Sequence, residues 1–193
     1  MRKVIGLTGG IATGKSTVTH YLVTHGYEVI DADLVSHEAL EKESACFQQV
    51  VDHFDCMDHQ GLIDRRKLGT IVFSDEKERA YLESILHPYI MSCIKEKIEK
   101  SHEELIFLDV PLLFEAHFDT LCDMSVVVSC DDQTQLSRLM QRDHLTKEEA
   151  LARIHAQMSL KEKRKKADLI IDNSKDLCFL EQEIRKMLKE VAA

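Results

Sequence analysis

The sequence predicts an α/β fold in which a parallel sheet of five strands carries helices on both faces. Short apolar runs of strand length alternate along the chain with longer segments whose apolar residues recur at helical spacing. A glycine-rich loop joins the first apolar run to the first helical segment. With 193 residues, seven glycines and two prolines, the chain is long enough for one α/β domain with insertions and has few helix-breaking positions.

Five apolar runs are expected to form the strands. The third is apolar except for Asp109 near its end, as expected of a strand that is covered on both faces. Parallel strands of this kind place a ligand beyond their carboxyl ends. The predicted strands are residues 4–8, 27–30, 105–110, 124–128 and 169–171.

The loop after the first strand has the spacing of a phosphate-binding loop. Gly9, four further residues and then Gly14-Lys15-Ser16 fit the pattern G-x-x-x-x-G-K-[ST]. Glycines let successive backbone N–H groups turn toward a β-phosphate, Lys15 supplies a cation for the β- and γ-phosphates, and the Ser16 hydroxyl can ligate Mg²⁺. A helix is predicted from about Lys15 to residue 25, with its positive end toward the phosphates. The residues predicted to contact the nucleotide here are Gly9, Gly10, Ile11, Ala12, Thr13, Gly14, Lys15, Ser16 and Thr17.

The chain between the second and third strands predicts an inserted helical subdomain rather than one crossover helix. Apolar residues recur at helical spacing within residues 47–54 and 65–73. Asp75 is a predicted N-cap of a helix that ends shortly before Pro88, and Pro88 fits the first turn of a separate helix. The insertion extends from residue 34 to about residue 100.

Two helices joined by a turn are predicted between the fourth and fifth strands. Arg138 and Arg142 are four residues apart and leave one face of the first helix. An isolated arginine pair usually faces solvent, but beside a phosphate loop such a pair is suited to neutralise charge on a transferring phosphoryl group. Thr146 opens the second helix with a capping box, and Arg153 on that helix is a weaker candidate. The following charge run, residues 161–166, is interpreted as a solvated helix face.

Acidic side chains follow the second and third predicted strands. Asp109 ends the third strand, where the second acid of a phosphate-loop protein orients Mg²⁺ or its water; the alternative is a cap for the next turn. Asp31 and Asp33 follow the second strand. One of them could orient an attacking hydroxyl or accept its proton, and the alternative for Asp33 is the N-cap of the next helix. Asp33 could serve in both ways.

Two basic positions in the insertion are candidates for contact with an acceptor molecule. Arg65 and Arg66 begin a predicted helix, where cations are unfavourable for the helix dipole, and this favours a ligand contact. His87 precedes Pro88, and both packing and substrate contact remain open for it.

Composition and charge exclude several classes of protein. A net charge of −9 and a pI of about 5.6 argue against a protein held to nucleic acid or to anionic membranes by its overall field. Six cysteines without a C-x-x-C pair suit reduced thiols, and the ten histidines form no H-E-x-x-H motif. The first strand begins by residue 4, which leaves no room for a signal peptide, and no apolar run reaches membrane-spanning length. We expect a cytoplasmic protein without nucleic-acid or membrane partners, and its oligomeric state stays open.

Two other classes of phosphate-loop protein fit the sequence less well. A GTP-dependent switch needs N-K-x-D, whereas residues 173–176 read Asn-Ser-Lys-Asp. A transporter or motor ATPase brings further signatures such as L-S-G-G-Q, which this sequence lacks. Another small-molecule or nucleoside-monophosphate kinase remains the alternative, because a phosphate loop does not specify the acceptor.

Six short motifs occur in a fixed order along nearly the whole chain. They are Thr8-Gly9-Gly10-Ile11 with Gly14-Lys15-Ser16-Thr17, Asp31-Ala32-Asp33, Leu86-His87-Pro88, Val110-Pro111-Leu112-Leu113, Gln141-Arg142-Asp143 and Ile171-Asp172-Asn173. Each motif is weak alone, but the ordered set resembles the dephospho-CoA kinase family. Bacterial members often have Gly-Ser where this chain has Ala12-Thr13. Alanine tolerates the usual loop conformation if its φ is negative, so we expect nucleotide binding to survive.

The resemblance implies a nucleoside-monophosphate-kinase-like fold. It implies transfer of the γ-phosphoryl group of ATP, with Mg²⁺, to the ribose 3′-hydroxyl of dephospho-CoA, which is the last step of coenzyme A synthesis. The implied parts are a phosphate-loop core (1–33, 101–137 and 156–193), a helical acceptor-binding insertion (34–100) and a lid (138–155).

The resemblance also implies roles for individual residues. The catalytic residues would be Lys15, Asp33 and Arg142. Beyond the phosphate loop, ATP would contact Arg138, Arg142 and Asn173. The acceptor would contact Asp31, Asp33, Arg65, His87, Pro111 and Leu112, and Mg²⁺ would contact Ser16 and Asp109.

Overall fold

A computed structural model of the chain describes residues 2–192 and contains the predicted five-stranded sheet. The strands lie in the order β2-β3-β1-β4-β5, and the pairs β1–β3, β1–β4 and β4–β5 are parallel. The bounds are β1 Lys3–Gly9, β2 Glu28–Asp31, β3 Leu105–Asp109, β4 Met124–Ser129 and β5 Leu169–Asp172. Each bound is within one residue of the predicted one, and the predicted fold class is confirmed.

Nine α-helices flank or follow the strands within residues 2–192. They are α1 Lys15–Thr24, α2 Ala32–Glu38, α3 Phe47–His53, α4 Arg65–Ser74, α5 Glu76–Lys100, α6 Asp132–Asp143, α7 Lys147–His155, α8 Leu160–Lys166 and α9 Leu177–Val191. A 3₁₀ turn spans Phe118–Leu121. Within the described residues, no helix is both long and apolar enough to cross a membrane.

The chain divides into two compact units, one from Asp31 to Ser101 and the other made of the described residues on both sides of it. The core of the sheet unit forms where one face of the central strand β1 meets two helices. Ile5 and Leu7 of β1 are fully buried, together with Leu22 of α1 and Ile184 of α9. Because β1 lies in the middle of the sheet, its carboxyl end and the loop that follows are at the edge where parallel sheets bind ligands.

The unit Asp31–Ser101 is helical, and α5 packs against α2, α3 and α4 within it. Its second half differs from the prediction, because α5 runs without a break through Pro88 and the two separate helices predicted there are wrong. Leu86, Ile90 and Ile94 form one buried stripe across the proline. Burying each such side chain contributes roughly 1.5–3 kcal/mol. Three of them outweigh the cost of about 3 kcal/mol for a proline in a helix interior.

The helix pair α6–α7 has the predicted capping chemistry. His144 ends α6 in a left-handed conformation, with φ of 54°. Thr146 begins α7 with a complete capping box, in which its side chain and that of Glu149 each bond to the other's backbone N–H. These local signals explain why the turn between α6 and α7 falls where the sequence predicted it.

Replacing Pro88 by alanine should stabilise the protein. Alanine restores the missing backbone N–H and removes the clash of the ring with the preceding turn, so the free energy of unfolding should rise by about 1–2 kcal/mol. Pro88→Gly is the matched control, and its gain should be smaller by about 1 kcal/mol because glycine is a poorer helix former. Urea unfolding measures both, and a Pro88→Ala protein no more stable than the unaltered chain would contradict the description of α5.

Candidate active site

The loop between β1 and α1 is shaped for a backbone that approaches its neighbours closely. Gly14 has φ of 93°, in the left-handed region that favours glycine. A Cβ on Gly14 would lie 2.1 Å from Nδ2 of Asn173. A Cβ on Gly9 would lie 2.8 Å from the carbonyl oxygen of Val128. Larger residues at these two positions would force the loop away from the sheet edge.

Side chains from two other elements hold carbonyl groups of this loop. Gln135 Nε2 of α6 donates to the carbonyl of Ile11 at 2.9 Å, and Asn173 Nδ2 after β5 donates to the carbonyl of Thr13 at 2.8 Å. Because a peptide group is planar and trans, each held carbonyl directs the next N–H, of Ala12 and of Gly14, to the opposite side. Within residues 2–192 these two N–H groups donate to no protein acceptor. Such a row of N–H groups is an anion-binding arrangement.

Ala12 departs from what the sequence analysis expected. Its φ is 60°, so the negative φ on which tolerance of the alanine was made to depend is not found. Held in the left-handed region, an alanine costs about 1–2 kcal/mol relative to the right-handed conformation. The neighbouring Thr13 is fully buried, and its hydroxyl donates to the carbonyl of Gly10 at 2.9 Å. This hydrogen bond and the one from Asn173 hold the loop backbone in its conformation despite the strain at Ala12.

Lys15 and Asp109 form an ion pair at the carboxyl edge of the sheet. The ammonium of Lys15, in the first turn of α1, donates to Oδ1 of Asp109 at the end of β3. Thr19 Oγ1, one helical turn further along α1, donates to Oδ2 of Asp109 at 2.6 Å. Asp109 is 4% exposed, whereas Ser16 beside Lys15 is exposed. The two oxygen-bearing side chains predicted for Mg²⁺ therefore lie on the two elements that this ion pair joins.

The charge run at residues 161–166 contains a residue that the sequence analysis missed. Lys163 is 0% exposed, so the solvated-face interpretation is wrong at this position. Its ammonium lies 3.0 Å from Oε1 of Glu115 and donates to the carbonyl of Pro111 at 2.7 Å. Lys163 follows the buried Leu160 by three residues, which places it on the apolar side of α8. This three-residue spacing from an apolar leucine was the signal in the sequence that could have shown that Lys163 is buried.

The predicted arginines occupy two different places. Arg138 Nη1 donates to the backbone carbonyl of Asn173 at 2.9 Å, which puts Arg138 beside a residue that holds the phosphate loop. Arg142 and Arg153 instead converge on Asp143, with N–O distances of 2.7 and 2.9 Å. The hydrogen bond from Arg142 is the main cause that lowers the pKa of the Asp143 carboxyl. Asp143 thus joins α6 to α7.

The structure contradicts the capping alternative that was considered for Asp33. Asp31, not Asp33, is the N-cap of α2, and its Oδ1 accepts from the N–H groups of Asp33 at 2.8 Å and Leu34 at 3.3 Å. The N-cap alternative for Asp33 is therefore wrong. Asp33 lies in the first turn of α2, where a negative charge is favourable for the helix dipole.

The remaining predicted acceptor contacts lie on separate elements. Arg65 begins α4 and pairs with Glu41 at 2.8 Å. His87 is half-buried in the middle of α5. Pro111 and Leu112 follow β3, and the side chain of Leu112 is exposed. The hydroxyl of Thr8 donates to the carbonyl of Pro111 at 2.9 Å, so the segment after β3 is tied to β1.

The cysteines are free thiols, as predicted. Burial raises the pKa of Cys122 to about 12, which keeps this thiol protonated and unreactive. Among residues 2–192, no group of three His, Cys, Asp or Glu side chains could hold a metal ion.

A family model described as dephospho-CoA kinase matches residues 3–178. The chain belongs to the dephospho-CoA kinase family. A dephospho-CoA kinase from Bacillus licheniformis is 45% identical over 193 residues, covering 97% of this chain and 96% of its own length. A solved dephospho-CoA kinase from Campylobacter jejuni is 32% identical, with a TM-score of 0.75 and coverage of 99% of this chain and 98% of its own.

A solved structure from Thermus thermophilus is 34% identical and superposes with a TM-score of 0.84, covering 98% of this chain and 97% of its own. The family resemblance stated from the ordered motifs is confirmed. The match over nearly the full length of these relatives means that the loop, the helical unit and the α6–α7 pair all fall inside the shared region.

Glycine at position 12 should stabilise this chain. Ala12→Gly relieves the left-handed strain, while the added freedom of the unfolded chain opposes part of the gain, so the free energy of unfolding should rise by roughly 0.5–1 kcal/mol. The matched control is Ala152→Gly, at an exposed position inside α7, which should lower it by about 1 kcal/mol. Thermal unfolding of both proteins measures the difference, and a loss of stability in both would contradict the left-handed conformation of Ala12.

Proposed function

We propose that the protein transfers the γ-phosphoryl group of ATP to the ribose 3′-hydroxyl of dephospho-CoA, giving coenzyme A and ADP. The single observation that carries the proposal is a complete phosphate loop, with its carbonyls held back and Lys15 beside it, in a member of the dephospho-CoA kinase family. The loop chemistry supports a nucleotide phosphate as donor, and family membership supports dephospho-CoA as acceptor. Six free thiols suit a reducing compartment, and we propose the cytoplasm as its location.

On this proposal, the phosphates of ATP occupy the N–H groups of the loop. Lys15 exchanges the carboxylate of Asp109 for the β- and γ-phosphates, so a cation already present at the loop becomes the partner of the transferring group. Arg138, held at the carbonyl of Asn173, lies beside the loop for a further contact to the nucleotide. Positioning and charge neutralisation account for most of the catalysis of phosphoryl transfer.

The family implies Mg²⁺, and the side chains at the loop suit it. Mg²⁺ prefers oxygen ligands and is commonly held by one or two carboxylates together with substrate phosphates. The Ser16 hydroxyl and the Asp109 carboxylate, on the two elements joined by the Lys15–Asp109 pair, are the residues that would hold the ion. When bound, Mg²⁺ neutralises charge on the β- and γ-phosphate oxygens.

We assign acceptor binding to the insertion 34–100 with the segment after β3. Asp33 would accept the proton of the 3′-hydroxyl, and its place in the first turn of α2 is fixed because Asp31 bonds to its N–H. The family resemblance assigns further acceptor contacts to Arg65, His87, Pro111 and Leu112.

We assign the lid to residues 138–155. Its closure would exclude water, which otherwise consumes ATP by hydrolysis. Arg142 and Arg153 would exchange Asp143 for the phosphate oxygens when the lid closes. Both arginine side chains are more than half exposed, so water screens their ion pairs with Asp143 and these pairs are readily exchanged.

The acceptor specificity tests the proposed function. ADP release would be followed with a coupled assay for dephospho-CoA, adenosine, AMP, CMP and shikimate, each with ATP and Mg²⁺. We expect fast release only with dephospho-CoA, and a rate at least about 10²-fold lower in Lys15→Ala. Lys165→Ala, an exposed lysine of α8, should behave like the unaltered protein. Faster transfer to another acceptor, or ADP release that needs no acceptor, would contradict the proposal.

Asp33→Asn should lower kcat by roughly 10²–10⁴ with little change in the KM for ATP, because the amide keeps the size of the side chain but cannot accept a proton. Asp75→Asn is the control, because Asp75 caps α5 by accepting from the N–H of Lys77 at 2.8 Å and asparagine caps equally well. Steady-state kinetics with ATP as the varied substrate, at saturating dephospho-CoA, measure both quantities. An unchanged kcat in Asp33→Asn would remove Asp33 from catalysis.

A further inference from the structure

Lys163 is a buried cation with all of its polar partners on segments next to the phosphate loop. Its ammonium donates to the carbonyl of Pro111 at 2.7 Å, lies 3.0 Å from Oε1 of Glu115, and reaches the carbonyl of Gly9 at 3.5 Å. An ammonium has three N–H donors; Pro111 and Glu115 take two at hydrogen-bond distance, and the carbonyl of Gly9 lies at the outer limit for the third. Even with such partners, the desolvation cost of a buried ion pair can exceed its electrostatic gain, so folding stability alone does not account for this arrangement.

The two carbonyls held by Lys163 belong to the two segments that the proposed reaction uses. Gly9 ends β1 and begins the phosphate loop, whereas Pro111 begins the segment after β3 to which acceptor contact is assigned. Because peptide groups are planar, the held carbonyls direct the N–H groups of Gly10 and Leu112 away from the ammonium. One side chain therefore orients a peptide group on both segments.

Glu115 extends the same network to the turn before α8. Its Oε1 also accepts from the N–H of Met158 at 3.2 Å. The neighbouring Gln157 accepts from the N–H of Ile11 in the phosphate loop at 3.0 Å. The turn at residues 157–158 is thus tied both to the phosphate loop and to the segment that carries Glu115.

The charge of Lys163 also acts on the phosphate site. Burial lowers the pKa of Lys163, the hydrogen bond and charge of Glu115 oppose this, and the positive charge of Lys15 lowers it further. The positive charge of Lys15 is therefore one of the charges that act on Lys163. A cation behind the loop raises the local potential that attracts phosphate, in a protein whose net charge is −9.

We propose that Lys163 is a positioning residue, whose buried ammonium fixes the peptide groups after Gly9 and Pro111 in the arrangement that nucleotide binding and phosphoryl transfer need. This inference rests on the proposed function for its kinetic consequence, but its effect on nucleotide binding needs no acceptor. The competing explanation is a buried ion pair that contributes only to folding stability.

Lys163→Met tests the inference, because methionine has a similar length and no charge. We expect the affinity for ATP with Mg²⁺, measured by calorimetry, to fall about tenfold and kcat to fall at least about tenfold, since small misplacements of reacting groups cost up to 10²-fold. Lys161→Met, at an exposed position in the same helix, should leave both quantities unchanged.

A second variant separates positioning from stability. Lys163→Met leaves the half-buried carboxylate of Glu115 without its cation, and Lys163→Met with Glu115→Gln removes that charge. We expect the double variant to regain thermal stability without regaining ATP affinity or kcat. ATP affinity and kcat within twofold of the unaltered protein, in either folded variant, would overturn the positioning role.

The two proposals fail in different ways. An unaltered protein that binds ATP but phosphorylates no dephospho-CoA would defeat the proposed function, and the ATP affinities of the variants would still decide the role of Lys163. An active unaltered protein with equally active and equally ATP-binding variants would defeat only the role of Lys163.

Discussion

The candidate site depends on one constraint: side chains from other elements of the fold bind the carbonyl groups of the phosphate loop. Lys163 of α8, Gln135 of α6 and Asn173 after β5 reach the carbonyls of residues 9, 11 and 13. Because a peptide group is planar and trans, the N–H that follows each bound carbonyl points in the opposite direction. The anion-binding row of N–H groups is thus made by tertiary contacts and not by the glycines alone.

The same contacts explain how an acidic protein presents a site for an anion. The net charge is −9, so the overall field repels a nucleotide, and the attraction has to be local. Lys15 of α1 and Lys163 of α8 supply it, and each is paired with an acid, Asp109 and Glu115 respectively. We expect the two ion pairs to behave differently when a nucleotide binds. Lys15 exchanges Asp109 for phosphate, whereas Lys163 keeps Glu115 as its partner and stays buried.

The sequence predicted the features that depend on local pattern. The strands, the capping box at Thr146 and the loop spacing depend on neighbouring residues, and all three are confirmed. Three features depend on tertiary contacts and were therefore missed. Pro88 stays inside a helix because a buried stripe outweighs its local cost, Ala12 is held with φ of 60° by its surroundings, and Lys163 looks like one more charge in a charged run. The catalytic assignments of Asp33 and Arg142 remain proposals, because they depend on substrates.

The position of the transferred group is the most direct test of the account, because it requires that the loop hold ATP and that the acceptor present one hydroxyl. ATP, Mg²⁺ and dephospho-CoA would be incubated with the protein, and the product analysed by mass and by phosphorus–proton NMR correlation. The account predicts that one phosphoryl group is added, with the new phosphorus coupled to the ribose 3′ proton. A phosphoryl group on any other hydroxyl, or ADP formed while dephospho-CoA stays unmodified, would contradict it.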